Sequence, residues 1–428
     1  MKFHWFHLMP WPYLPDNFKE AYRSVWVDPP YELYDAEKGN HVYHDYLDEL
    51  EFADRLGFDG ICVNEHHSNA YGLMPSPNIM AATLTRRTSN AAIVVMGNSI
   101  ALFNPPLRVA EEFAMLDVLS GGRLVAGFPT GTSMDTNFAY GMVPAQLRER
   151  YYEAHDLIKQ AWTDKGVSSF NGKYTQIRYM NPWPRPLQQP HPPVWIPGGG
   201  SIETWEWCAE MDYLYAYLSY SGYMRGRQIM DGFWERMKLL NKEPNPYQAG
   251  FIQTVCVADT EAEARDIYER HVDYFYNRCL HIYPGFADAP GYRTNRTVKA
   301  GIRSQLGAAA QRARERLNWE DLRKNGYVVA GPPDYVVEKL DDLTTQLNVG
   351  HLMLLLQMGS MPRDVVMYNT KMFAEKVMPH LRNKFNEFED RWYPKAMPQS
   401  RRAVPQTPEP ADIPLRNPLA AGAAAGGA

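Results

Sequence analysis

The chain has 428 residues, of which 45% are apolar, 22% charged and 13% aromatic, with a formal net charge of −5. That supports a sizeable core, and the absence of a basic stripe argues against nucleic acid as a partner. Cys62, Cys208, Cys256 and Cys279 form no CxxC pair or zinc spacing, so reduced thiols in a cytoplasm are expected, and neither a leader peptide nor a membrane span of roughly 20 apolar residues is visible.

In chain order, Phe3 to Met9 reads as a strand and Tyr43 to Leu56 as a helix ending at Gly57. Gly60 to Asn64 is a second short apolar run, Ile79 to Arg87 is helical, and Ala91 to Leu102 is a long β-branched run. Arg108 to Leu119 is helical again and Arg123 to Phe128 extended. Further strands are expected at Val194–Ile196, Tyr213–Leu218, Gly250–Val257 and His351–Leu356. Repeated strand–helix units indicate an α/β fold with a parallel sheet. Eight of them favour a closed (β/α)8 TIM barrel with loop insertions over an open doubly wound sheet.

Three segments interrupt the rhythm and are read as insertions: 10–40, rich in Pro, Tyr and Trp; 165–193, with FNGKY at a hairpin turn; and 280–325. Such insertions are candidate walls or lids in a barrel. The barrel domain is expected to occupy residues 1–394. Residues 395–428, rich in Pro, Ala and Gly, are expected to form a disordered tail.

The sharpest local feature is NEHHSNAYGLMPSPN, directly after the ICV strand. It puts Glu65, His66 and His67 at a strand's C-terminal end, where barrel catalysis occurs. Alternation turns Glu65 and His67 one way and His66 the other. Acid–base work suits a histidine there; metal ligation and a buried structural pair are the alternatives. In PVWIPGGGSIETWEWCAE, a strand runs through Gly198, Gly199, Gly200 and Ser201 into a helix. Glycines and exposed helix N-terminal amides bind phosphate, with Ser201 and Thr204 one turn apart. The alternative is a tight turn with Ser201 as N-cap. Asn98 and Ser99 are polar residues in an apolar strand and need partners. Pro129, Thr130, Gly131 and Thr132 end the next strand at the same mouth.

Taken together, LGFDGICVNEHH, GLMPSPNIMAA and AEEFAMLDVLSGGRLVAGF resemble motifs of the bacterial luciferase-like monooxygenases, as do GPPDYVVEKL, HLMLLLQMG and KMFAEKVMPHL further on. The resemblance covers roughly residues 1–385. It implies reduced FMN, supplied by a separate reductase, with O2 as co-substrate. A small organic substrate would be oxygenated through a flavin hydroperoxide, with water kept out. By the same resemblance His66 is the catalytic histidine, and Asn98, Ser99 and Ile100 touch the flavin ring, often beside a non-proline cis peptide. Ser201 and Thr204 hold the phosphate. The cofactor set is completed by Glu65, Thr130, Gly199 and Gly200, and the substrate set is Phe6, His67 and Tyr71. Thr130 stands where luciferase has an arginine, and Pro129 where it has a reactive cysteine. Residues 281–305 correspond to the family's mobile loop, and a homodimer is expected. Some relatives use a deazaflavin for hydride transfer, and a metal-dependent barrel hydrolase built on Glu65, His66 and His67 is the other alternative.

Overall fold

In a computed structural model, residues 1–131, 133–218, 220–287, 290–299 and 317–403 are described. Eleven strands occur among them: β1 Lys2–Phe6, β2 Gly60–Val63, β3 Ala92–Val95, β4 Leu124–Gly127, β5 Ser168–Asn171, β6 Gln176–Met180, β7 Val194–Gly198, β8 Leu214–Tyr217, β9 Ala249–Val257, β10 Val328–Gly331 and β11 His351–Leu355. Parallel pairing runs β9-β11-β1-β2-β3-β4-β7-β8, and a β8–β9 pairing closes the ring. The fold is therefore the expected (β/α)8 barrel. Strands β2, β3 and β4 are buried at every position, because one face fills the barrel and the other is covered by helices.

The elements differ from the sequence reading where apolar periodicity is a poor guide. The helix expected from Tyr43 begins at Ala36. Its first turns are largely exposed and polar, so they carry no apolar stripe. Asp35 starts it by accepting from the amides of Glu37 and Lys38. The run from Ala91 is a strand only to Val95 and then a turn, with a 3-10 segment at Ile100–Leu102. A buried apolar run does not distinguish a strand from a packed loop. Strand β10 was not anticipated. It is four residues long and pairs with the overhanging Thr254–Val257 half of β9.

The hairpin at FNGKY forms as β5 and β6, its turn pinned by Glu153, which accepts from the amides of Lys173, Tyr174 and Thr175. The first and third insertions are bonded to each other. The Val25 amide donates to the His281 carbonyl at 2.8 Å, and the Tyr283 amide to Ser24 Oγ at 3.1 Å. The cis peptides among described residues are X-Pro bonds, at Pro105, Pro184 and Pro190; none lies in the third-strand segment.

The tail departs from its reading as disordered from 395. Residues 395–403 lie against the base of the barrel: the Met397 amide donates to the Gly121 carbonyl at 2.9 Å, and a 3-10 turn follows at Gln399–Arg401. Proline-rich composition hid this because the anchoring is by backbone and arginine hydrogen bonds, not by an apolar stripe. Residues 404–428 lie outside the described residues. Just before this segment, Trp392 donates its indole N–H to the Asp212 carbonyl, and its own carbonyl accepts from Trp195 Nε1.

Candidate active site

At the strands' C-terminal ends lies a cavity of about 1550 Å3, counted out to its open mouth. Loops after β2, β3, β4, β7 and β8 form its floor and sides, and the first and third insertions overhang it. Among the expected residues, Phe6, Glu65, His66, Tyr71, Ser99, Thr130, Gly199, Gly200, Ser201 and Thr204 line it. His67, Asn98 and Ile100 do not. His67 turns back onto Glu65, its Nε2 lying 2.8 Å from Oε1, and packs on Tyr140. Asn98 is buried and donates to Asn78. Ile100 is wholly buried in the 3-10 turn. Asn98 and Ile100 were placed at the flavin by the family resemblance of the third-strand segment, and His67 was assigned to the substrate set. Strands β2 and β3 end before these residues, at Val63 and Val95. Thr132 lies outside the described residues.

His66 sits directly after β2 with Nδ1 3.1 Å from Asp135 Oδ2. Asp135 is fully buried in the first turn of the helix Met134–Ala139 and also accepts from Asn69 Nδ2 at 3.0 Å. Burial alone would raise its carboxyl. The hydrogen bond and charge of His66 outweigh that, with help from Ser133 and the Thr136 amide, and hold it below the usual carboxylate range. A charged Asp135 fixes the Nδ1–H tautomer of His66, leaving Nε2 as the ring nitrogen able to exchange a proton. The Tyr71 and Trp26 rings pack beside it, at 4.7 and 6.0 Å between centroids.

Glu65 is committed elsewhere. Its Oε2 accepts from the Ser99 amide at 2.6 Å and its Oε1 faces His67. Gly97 permits this approach, because a Cβ there would stand 2.5 Å from the Glu65 amide. The three residues of the alternative metal site therefore diverge: His66 pairs with Asp135, and Glu65 with His67.

Three strands round the ring from β2, β7 delivers the second half of the site. Gly200 adopts φ +101°, a conformation that favours glycine. Ser201 caps the helix Ile202–Met211, its Oγ accepting from the Thr204 amide at 3.2 Å, and the two hydroxyls lie 2.7 Å apart. The N-cap is therefore present; the Ile202 amide is taken by Thr297 Oγ1 at 3.3 Å, and Gly199, Gly200 and the Ser201 and Thr204 side chains line the cavity at the start of a ten-residue helix. Arg148 lines the same side, stacks 4.6 Å over Tyr292, and has a buried Nε without a partner among the described residues. Tyr292 in turn donates to Thr130 at 2.9 Å.

The Bac_luciferase family model, luciferase-like monooxygenase, matches residues 26–348. The chain belongs to the luciferase-like monooxygenase family. An uncharacterized protein of Sinorhizobium fredii is 26% identical over 346 residues, covering 80% of this chain and 94% of that one. The oxygenase component of a flavin-dependent trigonelline monooxygenase from Acinetobacter baylyi is 32% identical over 167 residues, 38% of this chain and 45% of the relative. The chain thus matches under half the length of that relative. In fold it is similar to the FMN-bound oxygenating constituent of 3,6-diketocamphane monooxygenase from Pseudomonas putida, with TM-score 0.65, 18% identity, and coverage of 89% and 98%.

The expectation of a monooxygenase on this barrel therefore holds. Several site residues of this luciferase-like monooxygenase were not read from its sequence: Asp135, buried behind His66, and the lining residues Arg148, Tyr220 and Trp26. Asp135 lies three positions beyond Thr132, and an acidic residue in the first turn of a short helix was its signal. Arg148 sits in an ordinary amphipathic helix, and Tyr220 in a loop without periodicity. Trp26 belongs to the first insertion, whose abundance of rings was the available hint.

Proposed function

We propose that the chain is the oxygenase component of a two-component flavin monooxygenase, using reduced FMN and O2 on a small organic substrate. One observation carries this: His66, held from behind by Asp135, and the glycine–serine helix start line the same cavity. The residues present fit the cofactor. The Gly199 and Gly200 backbone, the Ser201 and Thr204 hydroxyls, and the unpartnered Nε of Arg148 would hold a phosphate. Arg148 also meets the need left open by Thr130, at which this chain lacks a cation. Ser99, Thr130 and Glu65 border the space between the phosphate side and His66.

When bound, reduced flavin supplies the electrons that activate O2 for transfer of one oxygen atom, the other leaving as water. The protein's own part is to bind, orient and exclude solvent. Leu280, Ile282 and Ala287 of the third insertion give the cavity an apolar cover that limits water. His66, held by Asp135, exchanges a proton through Nε2 with the reacting oxygen or the substrate.

No G-x-G-x-x-G fingerprint appears in the sequence, so a separate reductase would supply the reduced cofactor. The four buried free cysteines suit a reducing cytoplasm, and no helix among the described residues is long and apolar enough to cross a membrane. A second copy would pack on helices 77–87 and 107–120, which expose Ile79, Met115, Val118 and Leu119. The test compares FMN, riboflavin and a deazaflavin by equilibrium dialysis. FMN should bind best, and Arg148→Ala should weaken FMN about tenfold while leaving riboflavin unchanged. Tight deazaflavin binding without FMN binding overturns the reading.

A further inference from the structure

Opposite the phosphate side, the cavity wall is aromatic and contains two polar donors that the fold leaves unspent. Tyr71 donates its hydroxyl proton to the Tyr220 oxygen at 2.5 Å. Tyr220 is thereby fixed as an acceptor within the pair, and its own proton has no acceptor among the described residues. Trp26 is 6% exposed, lines the cavity, and its indole Nε1–H likewise has no partner among the described residues. Buried donors are normally satisfied; the Trp26 N–H is such an orphan, and the Tyr220 hydroxyl, only partly buried, offers a second donor on the same wall, so the two together point to a ligand that accepts.

The charges around the cavity narrow the class. Glu65 is occupied by Ser99 and His67, and His66 by Asp135. Glu203 accepts from the hydroxyls of Thr294 and Thr297 at 2.6 and 2.8 Å. Arg148 stands on the phosphate side. Arg293 lies in the stretch tied down by Tyr292 and Thr294, and has interactions of its own. Among the described residues no spare cation faces Trp26, Tyr71, Phe6 and Tyr220, so a carboxylate or sulfonate there would be buried without a counter-charge from them, which is costly. The rings meet edge to face: Trp26 and Tyr71 at 5.8 Å, Tyr71 and Tyr220 at 5.9 Å. Such a wall accommodates a flat apolar body.

We infer that the substrate is an uncharged, largely apolar, planar molecule bearing a carbonyl-type acceptor. Tyr220, oriented by Tyr71, and Trp26 hold that acceptor beside His66. This rests on the oxygenase reading, which supplies the reaction but not the substrate class.

The experiment uses the full chain loaded with FMN and three probes of one shape: acetophenone, ethylbenzene without an acceptor, and 4-acetylbenzoate with a charge. Binding is read by calorimetry. Acetophenone should bind about tenfold more tightly than either of the others. Tyr220→Phe and Trp26→Phe should each shrink its advantage over ethylbenzene to about threefold or less. Tyr71→Phe, which keeps the Tyr220 proton but frees its orientation, should fall between. Thermal melts confirm that each variant is folded. Equal binding of acetophenone and ethylbenzene, tightest binding of the carboxylate, failure of acetophenone to bind, or a ratio unmoved by Tyr220→Phe in folded protein overturns the inference. FMN affinity is measured on the same samples. Its absence refutes the oxygenase reading, whereas FMN binding without probe discrimination refutes only this one.

Discussion

At the base of the barrel Arg123 uses its donors fully, on Thr88 Oγ1 and on the carbonyls of Ser120, Ala91, Thr85 and Thr88. At the mouth, Arg148 Nε and the Trp26 indole N–H have no partner among the described residues. The same contrast holds for carboxylates. Asp54, at the base, accepts from three successive amides, Ser89 to Ala91. Asp135, at the mouth, organises a histidine and an asparagine. Barrel enzymes separate stability from chemistry in this way, and these two arginines and two aspartates follow it, whereas His4 Nδ1 at the base also has no partner among the described residues.

The largest effect that would sharpen the contrast belongs to the mouth. His66→Ala should lower product formed per reduced FMN by about 10²- to 10⁴-fold, while urea unfolding shifts by less than about 1 kcal/mol. A large loss of stability would show that His66 serves the fold. Next, Arg123→Met at the base should cost about 3 kcal/mol in urea unfolding by leaving buried carbonyls without donors, with FMN affinity of the folded protein unchanged. Asp135→Asn keeps the shape but removes the charge that fixes the His66 tautomer. Turnover should fall roughly tenfold, with a displaced pH profile and little change in KM.

Protonation gives a subtler contrast. His4 lies inside the base of the barrel, Nε2 2.9 Å from His351 Nδ1, and burial holds it well below its usual range, with His351, Lys2 and Arg382 acting in the same direction. Its folded pKa is depressed, so the unfolded chain binds the extra proton. Stability from this group is complete above about pH 6.5 and declines as pH falls, by up to about 1.4 kcal/mol per pH unit. Urea midpoints at pH 7.5 and 5.5 should show this slope, and His4→Gln should lower it by one group's share, because His7 and His271, also depressed by burial to about 3 and about 4, contribute in the same window. The smallest effect tests a residue with both duties: Ser201→Ala should cost about 1 kcal/mol as a lost N-cap and weaken FMN severalfold. Loss of stability alone would reduce Ser201 to a capping residue.

Much of this architecture is legible in the amino-acid order, and unevenly so. The eight barrel strands announce themselves as short apolar runs because each is buried on both faces. The two halves of the cavity are legible because glycines and paired histidines after a strand have few other uses. Asp135, Arg148 and Tyr220 are not, because their roles depend on which strand ends become neighbours when the ring closes. Asn98 and Ile100 show the converse error. Once β3 stops at Val95, Met96, Gly97 and Ser99 of this segment line the cavity, and Asn98 and Ile100 do not.

The backbone bonds from Val25 to His281 and from Tyr283 to Ser24 have a consequence for synthesis and for engineering. About 250 residues separate the two partners along the chain, so the segment carrying Trp26 emerges from the ribosome long before its anchor and must wait for it. Grafting one of these segments from a relative without the other would leave its hydrogen-bonding edge facing a mismatched partner. For any chimera the pair is the smallest exchangeable unit.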